Sequence, residues 1–333
     1  MYCDPRFRVA VIAFCRSQRH QLHMHSMSIE LEFKGVGMWL GRLALLMVVV
    51  SVAAFCQPAL ASEFDTVERQ CPVGGETFEA RELLGITIMG TLPDGMPIGS
   101  GDFPIELPQC PGNGLVIYRE FASSELPKLG AFVQSAEYKA IRRSAETPYY
   151  LAYRIAKVLG DLVPERLLLS ATWEAKNNDG NRERARRYNA EFVAAMTQWP
   201  VNPADFSNIS LHARGVNALR ELGRFDEAEN VRAALAGLQS AKSTDNEGTQ
   251  KWDSLRRFLA RLKAPILRGD ASRFPIDMLS GKDAAELCLG EEFSRKLKLV
   301  PPAPLSAFEH VYCARPELGE DLRERRAWIN SIP

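Results

Sequence analysis

The stretch TPYYLAYRIAKVLGD, residues 147–161, decides the fold class because it carries a complete set of helix signals. Thr147 is a suitable N-cap, Pro148 fits the first helical position, and Gly160 is a typical stop residue. Its surface is apolar apart from one thin polar stripe, which consists of Arg154, Lys157 and Asp161. A helix that is apolar around most of its circumference packs against neighbours on several sides.

The chain remains helical in pattern after this stretch. Residues 164–177 follow a short link, which predicts an antiparallel helical hairpin. Further helical runs cover residues 181–197, 207–222, 225–238 and 251–261, whereas the polar stretch 239–250 is typical of a mobile loop. The predicted fold class is therefore mainly α.

The residues before position 120 have a different composition. Residues 76–118 are rich in Gly and Pro, with short β-type runs at 85–89 and 114–118 and a turn signal at Pro93-Asp94-Gly95. This pattern predicts a small β-rich module at the N-terminal side of the helices. Such a module has too little core to be stable without a staple.

Two short motifs in this part of the chain have the shape of half a zinc knuckle. They are CPVGG, residues 71–75, and CPGNG, residues 110–114. In a complete knuckle a second thiolate would follow the first cysteine. Here Gly74 and Asn113 occupy those two positions.

A third motif lies within the helical part. The sequence LHARGVNALRELGRFDEAENVRAAL, residues 211–235, is similar to a tetratricopeptide unit. Gly223 matches the turn glycine, Phe225 the aromatic residue that follows, and Ala228 the small residue at the helix crossing. Arg232 departs from the aromatic residue expected four positions later. An ordinary helical hairpin with a tight turn is the alternative interpretation.

Taken together, these motifs resemble an uncharacterised bacterial family of zinc-ribbon-headed, tetratricopeptide-like helical-repeat proteins. The resemblance covers roughly residues 71–238 and implies antiparallel helical hairpins behind a small ribbon-like β module. It implies no activity, because none is established for the family.

The resemblance also bears on metal binding. Zn²⁺ needs four ligands, and two of the four thiolates are replaced here, so we expect no metal and no other cofactor. In a tetrahedral zinc site, sulfurs from opposite knuckles lie about 3.8 Å apart. The resemblance therefore implies that Cys71 and Cys110 form a disulfide in place of the zinc.

The front of the chain has the layout of a secretory signal. Residues 38–61 contain Arg42, an apolar stretch at 43–55, and a small-residue pattern that predicts cleavage after Ala61. A membrane anchor is the alternative, but the apolar stretch makes a helix of only about 20 Å, against a hydrocarbon core of about 30 Å. We expect a periplasmic or secreted protein with no stable membrane span after cleavage.

Export to an oxidising compartment favours disulfides over metal for the remaining cysteines. The chain beyond residue 61 retains Cys71, Cys110, Cys288 and Cys313, which allow three pairings. Cys288 and Cys313 bracket the proline-rich residues 301–304, and we predict that they pair. The absence of a CxxC motif makes a thiol redox function a weak hypothesis.

These features divide the chain into five predicted segments. They are a non-native or disordered extension at 1–37, the signal peptide at 38–61, the β-rich module at 62–120, the helical-repeat domain at 121–280, and a C-terminal segment at 281–333 with a disulfide and a terminal helix. Lys plus Arg equals Asp plus Glu at 41 each, so no overall field recruits nucleic acid.

Catalytic motifs are missing from the sequence. It has no GxSxG elbow, HExxH, Walker loop or GxGxxG, and His212 and His310 are the two histidines of the mature chain. We therefore predict no catalytic residue. An envelope hydrolase whose active residues form no recognisable motif remains the alternative.

Two groups of residues are candidates for binding a partner. Tyr149, Tyr150, Tyr153 and Trp173 could line a peptide groove, although tyrosines at helical spacing also suit a core between helices. Arg256 and Arg257 lie in the amphipathic stretch 251–263, which suits either an anionic surface or a packed helix with solvated charges. The sequence predicts an exported scaffold that binds a protein or peptide of the cell envelope.

Overall fold

The computed structural model describes residues 63–177, 182–238 and 246–332. The predicted upstream extension, signal peptide and cleavage site lie outside the described residues, as do residues 239–245 of the predicted loop. The described chain is mainly helical with a small β-rich part at its N-terminal side, which confirms the predicted fold class.

The β-rich part consists of two antiparallel hairpins. Strand β1, Glu63–Gln70, pairs with β2, Thr77–Gly85, and β3, Ile88–Thr91, pairs with the short β4, Pro97–Gly99. The strand predicted at 85–89 is instead the junction between β2 and β3. The strand predicted at 114–118 is reduced to one bridge between Gln109 and Val116. Leu115 and Val116 are fully buried there, so their apolar character reflects packing rather than a sheet.

Twelve α-helices follow in the described residues. The first eight are α1 Leu126–Gln134, α2 Ala136–Arg143, α3 Pro148–Leu159, α4 Glu165–Asn177, α5 Arg182–Gln198, α6 Phe206–Glu221, α7 Phe225–Ala236 and α8 Asn246–Leu267. The last four are α9 Gly281–Cys288, α10 Gly290–Lys296, α11 Ala307–Cys313 and α12 Gly319–Ser331. From α3 to α8, each helix contacts the next one along the chain.

Helix α3 begins and ends where its local signals predict. The Thr147 side chain accepts a hydrogen bond from the backbone N–H of Tyr150, and Gly160 ends the helix in the left-handed region at φ 85°. A residue without Cβ adopts that conformation at little cost. By contrast, residues 246–250 were predicted as loop but form the first residues of α8, where Lys251 pairs with Glu247 at 2.6 Å.

The core of the knuckle region is shared with the first helices. Cys71, Cys110 and Leu115 are buried together with Leu129 of α1 and Ile155 of α3. The β3–β4 hairpin packs elsewhere, with Leu92 buried against a cluster that includes Phe274, Ile276 and Leu287. The β-rich residues are thus held by helices from two distant parts of the sequence.

Both predicted disulfides are present. Cys71 bonds to Cys110 with their Cα atoms 5.6 Å apart, and Cys288 bonds to Cys313 with Cα atoms 5.7 Å apart. The second bond joins the last residues of α9 and α11. Two disulfides are typical of a protein that folds in an oxidising compartment.

Candidate functional site

The two knuckle motifs do not fit a zinc ion. The Sγ atoms of Cys71 and Cys110 and a carboxylate oxygen of Glu76 lie within 4.8 Å of one another, but the two sulfurs are bonded to each other and are not thiolates. The Glu76 carboxylate accepts hydrogen bonds from the backbone N–H of Gly112 at 2.9 and 3.1 Å. Gly74 adopts a φ of 104°, which a cysteine there would reach only with strain.

The Asn113 side chain links the two knuckles, as a metal ligand at its position would. Its side-chain Nδ2 donates to the carbonyl of Val73 in the other knuckle. Its Oδ1 accepts from the backbone N–H of Leu115 at 2.8 Å. The disulfide and these hydrogen bonds together hold the two knuckles against each other.

The helices bind a segment of their own chain, residues 93–105, which we call the bridging segment. Its main-chain carbonyls accept hydrogen bonds from side chains of α3, α4 and α6. The bonds are Tyr149 Oη to Ile105 at 2.7 Å, Trp173 Nε1 to Asp94 at 3.2 Å, Asn177 Nδ2 to Phe103, and Arg214 Nη1 to Pro93 at 3.0 Å. Two of the predicted partner-binding residues, Tyr149 and Trp173, therefore contact the chain itself.

A turn within the bridging segment reaches deepest into the helices. The predicted turn at 93–95 forms, with the N–H of Gly95 donating to the carbonyl of Leu92 at 2.8 Å. Gly95 has a φ of 88°, and an added Cβ would lie 2.7 Å from Nε of Arg214. Both the backbone conformation and the close approach therefore require glycine at this position.

Asp94 in this turn enters a buried network of charges. Its carboxylate lies 2.9 Å from the ammonium of Lys176, which also pairs with Glu221 at 2.7 Å. These three side chains are 3%, 8% and 7% exposed, so each charge depends on its partners rather than on water. Burial raises the pKa of Asp94, but the charges of Lys176 and Arg273 outweigh it and lower that pKa to about 2.

Arg220 is the most deeply buried cation of this region. Its side chain has no exposed surface, and its guanidinium donates to the carbonyls of Asp270 at 2.6 Å and Ser272 at 2.7 Å. The Asn217 side chain accepts two further bonds from it. The network thus ties α4, α6 and the loop after α8 to the bridging segment, and every charge named in it has a partner.

The other candidate partner-binding residues lie apart from the bridging segment. Tyr150 and Tyr153 are buried in the interhelix core, where Tyr150 stacks on Tyr188 at 4.6 Å. Arg256 and Arg257 are exposed and bond locally, to Asp253 and to Ser254. Helix α8 buries Leu255, Leu259 and Leu262 in the core, as the packed-helix interpretation requires. No single site contains all six residues.

One open pocket lies beside α5. It has a volume of about 380 Å³ and is lined by Glu183, Arg186, Arg187, Ala190, Leu222 and Arg224. Arg187 is already bound to Glu146 and Arg224 to Glu227. These ion pairs leave the pocket with little excess charge to select a ligand.

The two histidines of the described residues lie in different environments. His212 on α6 is 5% exposed and stacks on Trp199, and its Nε2 has no hydrogen-bond partner among the described residues. His310 lies exposed on α11. The envelope-hydrolase hypothesis stays a prediction, since neither histidine is bonded to a candidate nucleophile in the described part of the chain.

The burial of His212 predicts a pH-dependent stability. Burial lowers the pKa of His212, so protonation costs more in the folded than in the unfolded chain. His212 therefore lowers stability as the pH falls below its ordinary pKa of 6.5. We expect the melting temperature to drop between pH 7.5 and pH 5.5 in the wild type, and to drop less in His212→Gln. His310→Gln is the control; an equal drop in all three proteins would contradict the role of His212.

Three exposed apolar residues lie in the stretch of chain that joins the β1–β2 hairpin to the β3–β4 hairpin. Leu84, Ile88 and Met89 are 58%, 57% and 74% exposed, and we call these three residues the apolar tip. They lie at the end of β2 and the start of β3. Among the other exposed apolar residues, Leu299 and Val300 are neighbours in the loop after α10, whereas Leu162 at 95% has no exposed apolar neighbour in sequence.

Comparisons with known proteins find no significant similarity. No protein-family model matches the chain, and no curated protein or solved structure is significantly similar to it. The described helices include none that is both long enough and apolar enough to cross a membrane.

Proposed function

We propose that this protein is an exported, disulfide-stapled scaffold that binds another protein of the cell envelope through the apolar tip. The observation that carries the proposal is the exposure of Leu84, Ile88 and Met89 within one short stretch of chain, residues 84–89. Grouped exposed apolar residues mark interaction surfaces more often than scattered ones do. Methionine in particular adapts to the shape of a partner.

The helical surface is the less suitable place for a partner. Tyr149, Trp173 and Arg214 already donate hydrogen bonds to the bridging segment. A peptide that bound there would have to displace Asp94 from its buried pair with Lys176. Breaking such a pair leaves a buried charge without a partner, which is costly. We therefore assign the partner to the tip rather than to the helices.

Export is the second element of the proposal. The residues predicted as signal peptide lie outside the described chain, but both disulfides join cysteines of the part beyond residue 61. Bonds of this kind form and persist in oxidising compartments. This supports a periplasmic or secreted location without deciding between the two.

Site-specific photocrosslinking tests this function. Benzoylphenylalanine in place of Met89 should crosslink the protein to a partner in intact cell envelopes. The same group at the exposed Leu162 is the matched control, because that side chain is 95% exposed but far from the tip in sequence. Leu84→Ser should weaken the product formed at position 89. Equal products from both positions, or none from position 89, would contradict the proposal.

A further inference from the structure

The β1–β2 hairpin, which we call the ribbon, carries carboxylates that no cationic side chain of residues 63–177, 182–238 and 246–332 neutralises. Asp65, Glu68 and Glu79 are exposed. No cationic group of the described residues lies within 4.0 Å of any of them, whereas Glu82 has Arg69 at 3.4 Å. Asp65 accepts one hydrogen bond, from the backbone N–H of Thr66 at 2.8 Å. The ribbon therefore presents three negative charges that have no cationic partner among the described residues.

The register of the ribbon places these charges where they repel each other. Asp65 stands directly opposite Glu82, and Glu68 stands directly opposite Glu79. Like charges in directly opposed positions destabilise a pair of strands. The opposed carboxylates therefore do not stabilise the ribbon itself. A cationic partner bound beside them would reduce their mutual repulsion.

The outer edge of β1 offers the backbone groups that such a partner could use. Among the described residues, β2 is the only element that pairs with β1. An unpaired edge binds an added strand through main-chain hydrogen bonds, and side chains then set the specificity. Asp65 and Glu68 are three residues apart, so their side chains lie on opposite faces of the strand.

We propose that the β1 edge of the ribbon binds an extended basic segment of another protein as an added strand. The segment carries two lysines or arginines three residues apart, one for each face, and an apolar residue that meets the apolar tip. This inference rests on the proposed function, since it identifies the chemistry of the partner that the apolar tip binds. A second copy of this chain is the poorer occupant, because its β1 would bring the same carboxylates, Asp65 and Glu68, to the edge.

The test uses a synthetic peptide and the full mature chain. The probe is a capped Val/Thr peptide with two lysines three residues apart and a terminal leucine, labelled for fluorescence anisotropy. The wild type should bind it saturably, and Asp65→Asn with Glu68→Gln should weaken binding roughly tenfold, as expected for two exposed ion pairs. Glu291→Gln with Glu317→Gln removes the same charge from exposed positions of the C-terminal segment and should leave binding unchanged.

Two further probes separate the possible occupants. A peptide with glutamates in place of the lysines should not bind, and the protein should not sediment with phosphatidylcholine vesicles. Equal binding of both peptides, an unchanged affinity in the ribbon variant, or tip-dependent sedimentation with the vesicles would overturn the basic-strand proposal. A crosslinked partner at position 89 together with no peptide binding would overturn this inference alone and leave the proposed function standing.

Discussion

Replacing Cys71 and Cys110 with alanine should lower the free energy of unfolding by roughly 4 kcal/mol, the chain-entropy value for a closed loop of about 40 residues. The loss should be concentrated near the knuckles, because their core includes both buried cysteines. Hydrogen exchange should therefore accelerate in residues 71–118 at a denaturant concentration that still leaves α6 and α7 protected. Urea unfolding followed by circular dichroism measures the total effect.

The second disulfide provides the matched control for this variant. Replacing Cys288 and Cys313 with alanine opens a loop of about 26 residues and should cost roughly 3.5 kcal/mol. Exchange should then accelerate in α9 and α11, which this bond joins, and not in the knuckles. If both variants loosened the same residues, the disulfide between Cys71 and Cys110 would not be the staple of the β-rich part.

The Lys176→Met variant should be destabilised by roughly 3–5 kcal/mol, the usual cost of breaking a buried ion pair. Its ammonium is the shared partner of Asp94 and Glu221, and methionine keeps much of its volume without the charge. Both carboxylates would then remain buried without the positive charge that they share, although Arg273 still lies 3.9 Å from Asp94. Thermal and urea unfolding at neutral pH measure the loss.

Two further variants test whether the effect of Lys176→Met arises from the buried charges. Lys139→Met removes a charge from an exposed position of α2 and should change stability little. Adding Asp94→Asn to Lys176→Met should restore part of the lost stability, because it removes one of the buried charges. If Lys176→Met and Lys139→Met had similar effects, the buried network would not hold the bridging segment in place.

The low pKa of Asp94 also predicts how the free energy of unfolding changes at acidic pH. A carboxylate whose pKa falls from 3.8 to about 2 on folding stabilises the fold above its ordinary pKa, and this contribution is lost as the pH falls from 3.8 towards 2. The Asp94→Asn variant should therefore lose less stability than the wild type over that interval.

Local signals in the sequence were sufficient for several elements. Thr147, Pro148 and Gly160 predicted the ends of α3 because capping and stop signals act within one turn of helix. The two disulfides followed from the cysteine count, the predicted compartment and the knuckle resemblance. The turn at 93–95 followed from its residue types, since a tight turn is also a local structure.

Other elements had no local signal. Strand β1, EFDTVERQ, mixes charged and apolar residues without alternation, and it follows the predicted cleavage site directly. The contact of the bridging segment with the helices joins residues far apart in sequence, such as Asp94 and Trp173, so composition could not reveal it. For the same reason, Tyr149 and Trp173 were predicted to bind a separate partner, whereas they contact the chain's own segment.

We propose that the helices hold the bridging segment while the ribbon and the apolar tip bind the partner. Hydrogen exchange of the wild-type chain, alone and with the partner isolated by affinity capture, tests this claim most directly. We expect new protection in residues 64–68 and 84–89 and unchanged exchange in residues 93–105 and α4. Faster exchange in residues 93–105 with new protection in α4 would show that the partner displaces the bridging segment, and would contradict the account.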